Sequence, residues 1–168
     1  MAAIGIGPRF VRKRRDPRRR PRVLVVGLGN LLLRDDGVGV HAVRALQHCV
    51  PRGVRAVEVG TAVLDALHLF EWADRILAMD AVQAGGAPGT IYQLGVEGAA
   101  SRPVKGSPHE LDLLAGLRFV KTDHHPEIAI LGVEPQSIDV GLDLSPNVQS
   151  VFPRLVEAAR DIIRRWRA

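Results

Sequence analysis

"VLVVGLGNLLLRDDGVGVHAVRAL" (residues 23–46) passes from a buried strand through an acidic loop into an amphipathic helix. The β-branched run at residues 22–29 is what a strand covered on both faces requires. Residues 37–50 then show a helical period, with Val38, Ala42, Ala45, Leu46 and Cys49 on one face. His41, Arg44 and His48 fall on the other face, where exposure is the ordinary state. Between strand and helix stand two carboxylates, Asp35 and Asp36, at a place where many α/β domains keep a phosphate-binding glycine loop.

The pattern repeats along the chain. Residues 54–60 alternate as a second strand, and residues 61–73 read as a second helix. "RILAMDAV" (75–82) is a third strand, broken by "AGGAPG", and residues 90–96 form a fourth, placed at an edge. A polar loop over 97–108 leads into "SPHELDLLAGLRF", with Pro108 suited to a first helical turn. "EIAILGVEP" (127–135) supplies a fifth strand. The C-terminal stretch places Val148, Val151, Phe152, Leu155, Val156, Ala159, Ile162, Ile163 and Trp166 at helical spacing. Pro153 within it should kink that helix or delay its start. Alternating strands and helices predict an α/β fold, a mostly parallel sheet with helices on both faces.

A chain of 168 residues suits a single domain over 22–168. The formal charge of +5 conceals an asymmetry: residues 1–22 hold nine Lys/Arg and one Asp, a balance of +8, which leaves −3 for the rest. Residues 1–21 therefore read as a basic leader, and like charges with prolines favour a solvated, disordered arm. A tether to nucleic acid or to an anionic membrane, and a secretory signal, are the alternatives. Against a signal, "RDDG" follows the apolar run where a small-residue cleavage site belongs; an overextended start is a further reading of the leader, since "PRVLVVGLGN" would make a natural beginning. No stretch approaches the ~20 apolar residues of a membrane span. The single cysteine, Cys49, excludes an internal disulfide framework and reads as a buried structural thiol. Together these features suggest a cytoplasmic protein.

In doubly wound sheets the working crevice lies beyond the carboxyl ends of the strands, where strand order reverses. Asp36 follows the first strand, Asp80 ends the third, and His109 opens the helix after the long loop. A nucleotide fits poorly, because Leu32 stands where the third glycine of a dinucleotide loop belongs and the two acids would repel a pyrophosphate. One acid alone would serve as a helix cap, and Asp80 alone as a capped turn. Two hard oxygens and one imidazole around a crevice suit a divalent ion such as Ni²⁺, Zn²⁺ or Mn²⁺, held weakly or borrowed. "DHH" at 123–125 reads as a solvated loop, and Asp65 with His68 as a surface pair. Ser101, Ser107 and Ser137 sit in no nucleophile elbow.

The opening motif resembles that of the [NiFe]-hydrogenase maturation proteases. "GT" (60–61), "MDAV" (79–82), "PGT" (88–90), "SPHELDL" (107–113), "LGVEP" (131–135) and "GLDLSPNV" (141–148) follow in the family's order. The resemblance runs from about residue 22 onward. It implies a five-stranded sheet packed between helices and a single cut that removes the C-terminal extension of a hydrogenase large-subunit precursor after nickel insertion. It also implies that Asp36, Asp80 and His109 bind nickel, supplied by that precursor. One departure is "EVGT", where many relatives carry an acidic-Gly-Gly-Thr segment; Glu58 and Val59 put substrate choice in question. Competing readings are a nickel-occupancy checker without cleavage, a nucleotide-binding α/β protein, and a nucleic-acid protein using its basic arm.

Overall fold

The computed structural model describes residues 19–95 and 126–168. Five strands form one sheet: β1 (Val23–Leu28), β2 (Val54–Gly60), β3 (Arg75–Ala81), β4 (Ile91–Gly95) and β5 (Glu127–Val133). Their order is β2-β1-β3-β5-β4. All pairs are parallel except β4 with β5. β4 lies at an edge, as its sequence suggests. Among the described residues the helices are α1 (Val38–Leu46), α2 (Leu67–Trp72) and α3 (Pro146–Arg167). Short 3₁₀ turns at Arg34–Gly37 and Val63–Ala66 lead into α1 and α2.

β1 is buried along its whole length, which is why its sequence is an unbroken apolar run. Its side chains alternate between two cores. Val23 and Val25 join Leu77, Met79 and Leu131 beneath α1 and α3, packing on Leu46, Leu155 and Ile162. Leu24, Val26 and Leu28 face the other way, with Ile76, Ala78 and Ile130 around Phe70 of α2. The sheet thus lies between two helical layers, and each fully buried Val, Leu or Ile contributes about 1.5–3 kcal/mol relative to exposure. At the start of the sheet, Asp74 accepts the backbone N–H of Arg22 at 2.7 Å and its guanidinium at 3.2 Å.

Two local expectations are corrected. α1 ends at Leu46, so Cys49 falls in the turn beyond it and is exposed, as is Ala45; Val40 and Val43 are buried instead. α3 starts at Pro146 without delay and runs through Pro153. Pro153 and Gln149, whose carbonyl loses its helical partner, are both exposed residues. Residues 1–18, the polar loop and helix read from "SPHELDLLAGLRF", His109 and "DHH" lie outside the described residues. None of the described helices is long and apolar enough to cross a membrane.

Candidate functional site

Strand order reverses between β1 and β3, whose neighbours on the outer sides are β2 and β5. The carboxyl ends of these two central strands form the crevice, and α1 begins on top of them. A Cβ on Gly39 would lie 2.0 Å from the Met79 carbonyl oxygen and 2.7 Å from that of Leu28. Only a glycine permits that approach. It brings the loop ahead of α1, with Asp36, to the same mouth as Asp80, which follows Met79 in β3.

The loop itself is tightly folded. Gly29 has φ +105°, and any side chain there would collide with the Asp36 carbonyl. The Asn30 N–H donates to Asp36 Oδ2 at 2.7 Å, while Asn30 Oδ1 accepts the Leu32 N–H at 2.9 Å. Arg34 occupies the left-handed region at φ +44°, unusual for a residue with a side chain. Its N–H donates to the Gly141 carbonyl at 2.9 Å, and the Gly141 N–H donates to the Leu32 carbonyl at 2.9 Å.

The two adjacent acids have different environments. Asp35 is fully buried. Its Oδ2 accepts the N–H groups of Gln136 (2.8 Å) and Ser137 (2.9 Å) and the hydroxyl of Ser145 (2.6 Å). Its Oδ1 accepts the Ser145 N–H at 2.7 Å. Asp35 is thus a latch between the first loop and the β5–α3 loop. Neither acid caps α1 or its preceding 3₁₀ turn through a side-chain hydrogen bond. Asp36, half-buried at the mouth, is the member of the pair that remains accessible from outside. Asp80 is 1% exposed, and its Oδ1 accepts the Ala81 N–H at 2.9 Å. A carboxylate buried at the end of an apolar strand is costly unless charge or hydrogen bonds compensate it. Among the described residues no three His, Cys, Asp or Glu side chains gather as a metal site. The structure therefore brings Asp36 and Asp80 to one mouth, and His109 lies outside what it describes.

Sequence reasoning missed Glu134 at the end of β5. It is buried and accepts the N–H groups of Ala84 (2.9 Å), Gly85 (3.3 Å) and Gly86 (3.2 Å), together with the Tyr92 hydroxyl at 2.8 Å. It shapes the glycine-rich turn between β3 and β4; a lone acid following an apolar strand and facing a Gly-Gly loop is the signal that was there to read. His41 also departs from expectation, being half-buried, with its Nε2 sealed from solvent and without a hydrogen-bond partner. Burial first, and then the nearby Arg44 guanidinium, hold its imidazole below its ordinary pKa. Glu58 of the departing "EVGT" segment pairs with Arg44 at 2.8 Å, and that hydrogen bond holds its carboxyl below the usual range. His48 and His68 are exposed as expected. A cavity of about 330 Å³ lined by Leu46, Cys49, Ile163 and three arginines opens at the far end of α1, away from the carboxylates.

The family model described as "Hydrogenase maturation protease" matches residues 40–162. The Hydrogenase 2 maturation protease of Escherichia coli (strain K12) is 34% identical over 85% of this chain and 91% of its own length. The hydrogenase expression/formation protein HoxM of Azotobacter vinelandii is 40% identical over 85% of this chain and 72% of its own length. Among solved structures, the hydrogenase maturating endopeptidase HybD from E. coli superposes with a TM-score of 0.77 at 32% identity, covering 86% of this chain and 93% of that one. The [NiFe] hydrogenase maturation protease HybD from Thermococcus kodakarensis gives 0.74 at 28% identity, over 84% and 99%. With the sheet order, the acidic loop and these likenesses in agreement, the chain belongs to the hydrogenase maturation protease family.

Proposed function

We propose that this protein is an endopeptidase that removes the C-terminal extension of a [NiFe]-hydrogenase large-subunit precursor after nickel insertion, recognising the nickel the precursor already carries. Membership of a peptidase family supports the reaction class. The observation that carries the finer reading is the division of labour at the acidic loop: Asp35 is consumed by structure, whereas Asp36 stands at the mouth beside the end of β3 that holds Asp80. Asp36, Asp80 and His109 would ligate the precursor's nickel. Carboxylate oxygens and one imidazole suit a divalent ion that arrives with its substrate better than one held permanently by thiolates. Binding there registers the scissile peptide against the mouth of the sheet and polarises its carbonyl or an attacking water.

The test is cleavage of nickel-loaded precursor by wild type, Asp36→Asn, Asp80→Asn and His109→Ala, with nickel-free precursor as control. A nickel-dependent loss of the C-terminal fragment, abolished in the three variants, is the expected result. Folded wild type that binds precursors without cutting any of them would leave a nickel-occupancy checker in place of a protease. Equal cutting of nickel-free precursor would remove the metal from recognition.

A further inference from the structure

The carboxylates sit at the ends of β1 and β3, interior strands, while among the described residues the edges of the sheet belong to β2 and β4. A substrate segment at the acids therefore cannot gain its affinity by adding a strand beside them. Binding has to come from the loops at the carboxyl end, and those loops are unusually apolar. Five large hydrophobic side chains are exposed among the described residues: Leu32, Leu64, Ile138, Val140 and Leu142, between 48% and 83% exposed. Every one lies on a loop or 3₁₀ turn that follows the carboxyl end of a strand. Leu32 follows β1, Leu64 follows β2, and Ile138, Val140 and Leu142 follow β5. Scattered exposed leucines need no explanation, but their confinement to the loops around one crevice marks an interaction surface.

The backbone gathers this set around Asp36. Leu33 and Gly141 form an isolated parallel bridge, flanked by the Gly141–Leu32 and Arg34–Gly141 hydrogen bonds. The Gly29 N–H donates to the Gly60 carbonyl at 3.2 Å, tying in the loop that leads to Leu64. Asp35 then locks the β5–α3 loop to the loop carrying Asp36. Apolar collar and candidate ligand are thus parts of one hydrogen-bonded unit.

We propose that Leu32, Leu64, Ile138, Val140 and Leu142 form a docking collar for an apolar surface of the folded large-subunit precursor, flanking the segment that is cut. This rests on the reading given under Proposed function. Side chains spread over three loops demand a broad, preformed apolar partner surface, which an extended peptide does not offer. The precursor is the partner because the collar is continuous with the loop bearing Asp36. The consequence is that affinity resides in the collar and chemistry in the acids, so the two separate kinetically.

The full chain carrying Val140→Asp and Leu142→Asp is compared with wild type and with Arg165→Ala, an exposed position on α3. Steady-state cleavage of nickel-loaded precursor and equilibrium binding of the same precursor are both measured, with sedimentation to follow self-association. The expected outcome is a rise in KM and Kd of about tenfold or more with kcat unchanged for the double variant, and no change for Arg165→Ala. Wild type that cuts normally while the double variant keeps its KM and Kd overturns the collar and leaves the protease reading intact. Wild type that binds but never cuts, with binding lost in the double variant, keeps the collar and removes the protease reading. Wild type that neither cuts nor binds any precursor removes both. A wild-type dimer that the double variant dissociates, with KM unmoved, assigns the surface to a second copy of this chain and overturns the proposal.

Discussion

Ser145 donates both its N–H and its hydroxyl to the carboxylate of Asp35, at 2.7 and 2.6 Å, across 110 residues of chain. Ser145 is also the cap position just before α3, and its hydroxyl goes to Asp35 instead of capping its own helix. The start of the C-terminal helix is therefore hung on the loop that precedes α1. Asp35→Asn would turn an amide NH₂ toward donors on at least one side, and Asp35→Ala would leave the buried N–H of Ser145 and the part-buried N–H groups of Gln136 and Ser137 without their acceptor. Either change should cost about 2–4 kcal/mol, since hydrogen bonds to a charged group contribute about 1.5–3 kcal/mol and the unmatched Ser145 donors stay buried. Urea unfolding measures it; a loss under half a kcal/mol would mean that the latch contributes nothing.

The neighbouring residue should behave in the opposite manner. Asp36 is half-buried and takes the Asn30 N–H through one oxygen, which an asparagine can still accept. Asp36→Asn should therefore cost no more than about 1 kcal/mol of stability while abolishing precursor cleavage. Adjacent acids with swapped phenotypes, one structural and one functional, are the signature to seek by running both variants through unfolding and cleavage assays. Loss of cleavage in Asp35→Asn at full stability, with Asp36→Asn active, would reverse the assignment.

That distinction shows where the sequence was legible. The buried strand, the alternation of strand and helix, and the placing of two acids at a strand end all follow from local pattern, which residues 23–46 display openly. Which acid does what depends on Gln136, Ser137 and Ser145, and no local rule connects them to position 35. Glu134 left a local signal, an acid after an apolar strand, but its donors come from residues 84–92 and no local rule connects them to position 134. The error at Cys49 has another cause. No glycine or proline separates Leu46 from Cys49, so the helical pattern could be extended one turn too far.

His41 predicts a pH effect with a definite sign. Arg44 faces it on its own helix, with the Leu142 backbone, Asp143 and Glu58 opposing the combined effect of burial and Arg44. The net result is a folded-state pKa below the ordinary 6.5. In the window below 6.5 the unfolded chain takes up a proton that folded His41 refuses, so stability is present above 6.5 and declines as pH falls. Thermal unfolding should show Tm falling over that window, with His41→Gln showing a shallower fall. Identical slopes for the two proteins would mean that His41 is solvated like the exposed histidines.

Tyr92 is the chain's single tyrosine, so its titration can be followed without interference. Burial, and then its hydrogen bond to Glu134, push its hydroxyl above the ordinary value of 10.0. The phenolate absorbance of the native protein should therefore rise at higher pH than that of the chain in denaturant. Tyr92→Phe should remove the signal and cost about 1 kcal/mol, the contribution of one hydrogen bond to a carboxylate that keeps three backbone donors. A native midpoint equal to that in denaturant would place the hydroxyl in solvent and away from Glu134.

Gly39 allows two physical effects to be set against each other. In a helix, alanine is favoured over glycine by about 0.8–1.0 kcal/mol, so propensity alone makes Gly39→Ala stabilising. Packing argues the reverse, because the added Cβ meets the carbonyl oxygens of Met79 and Leu28 at 2.0 and 2.7 Å. Both belong to central strands hydrogen-bonded on two sides, so neither can retreat as a flexible side chain would. The clash should win, with a net loss of about 1–3 kcal/mol or more, and α1 should lift from the mouth that Asp36 and Asp80 share. Gly95→Ala, where a Cβ meets nothing within 4 Å, is the matched control and should be near neutral. Urea midpoints read the sign directly. A stabilised Gly39→Ala would show that α1 does not seat on the strand ends, and would remove the contact that brings the two carboxylates to one place.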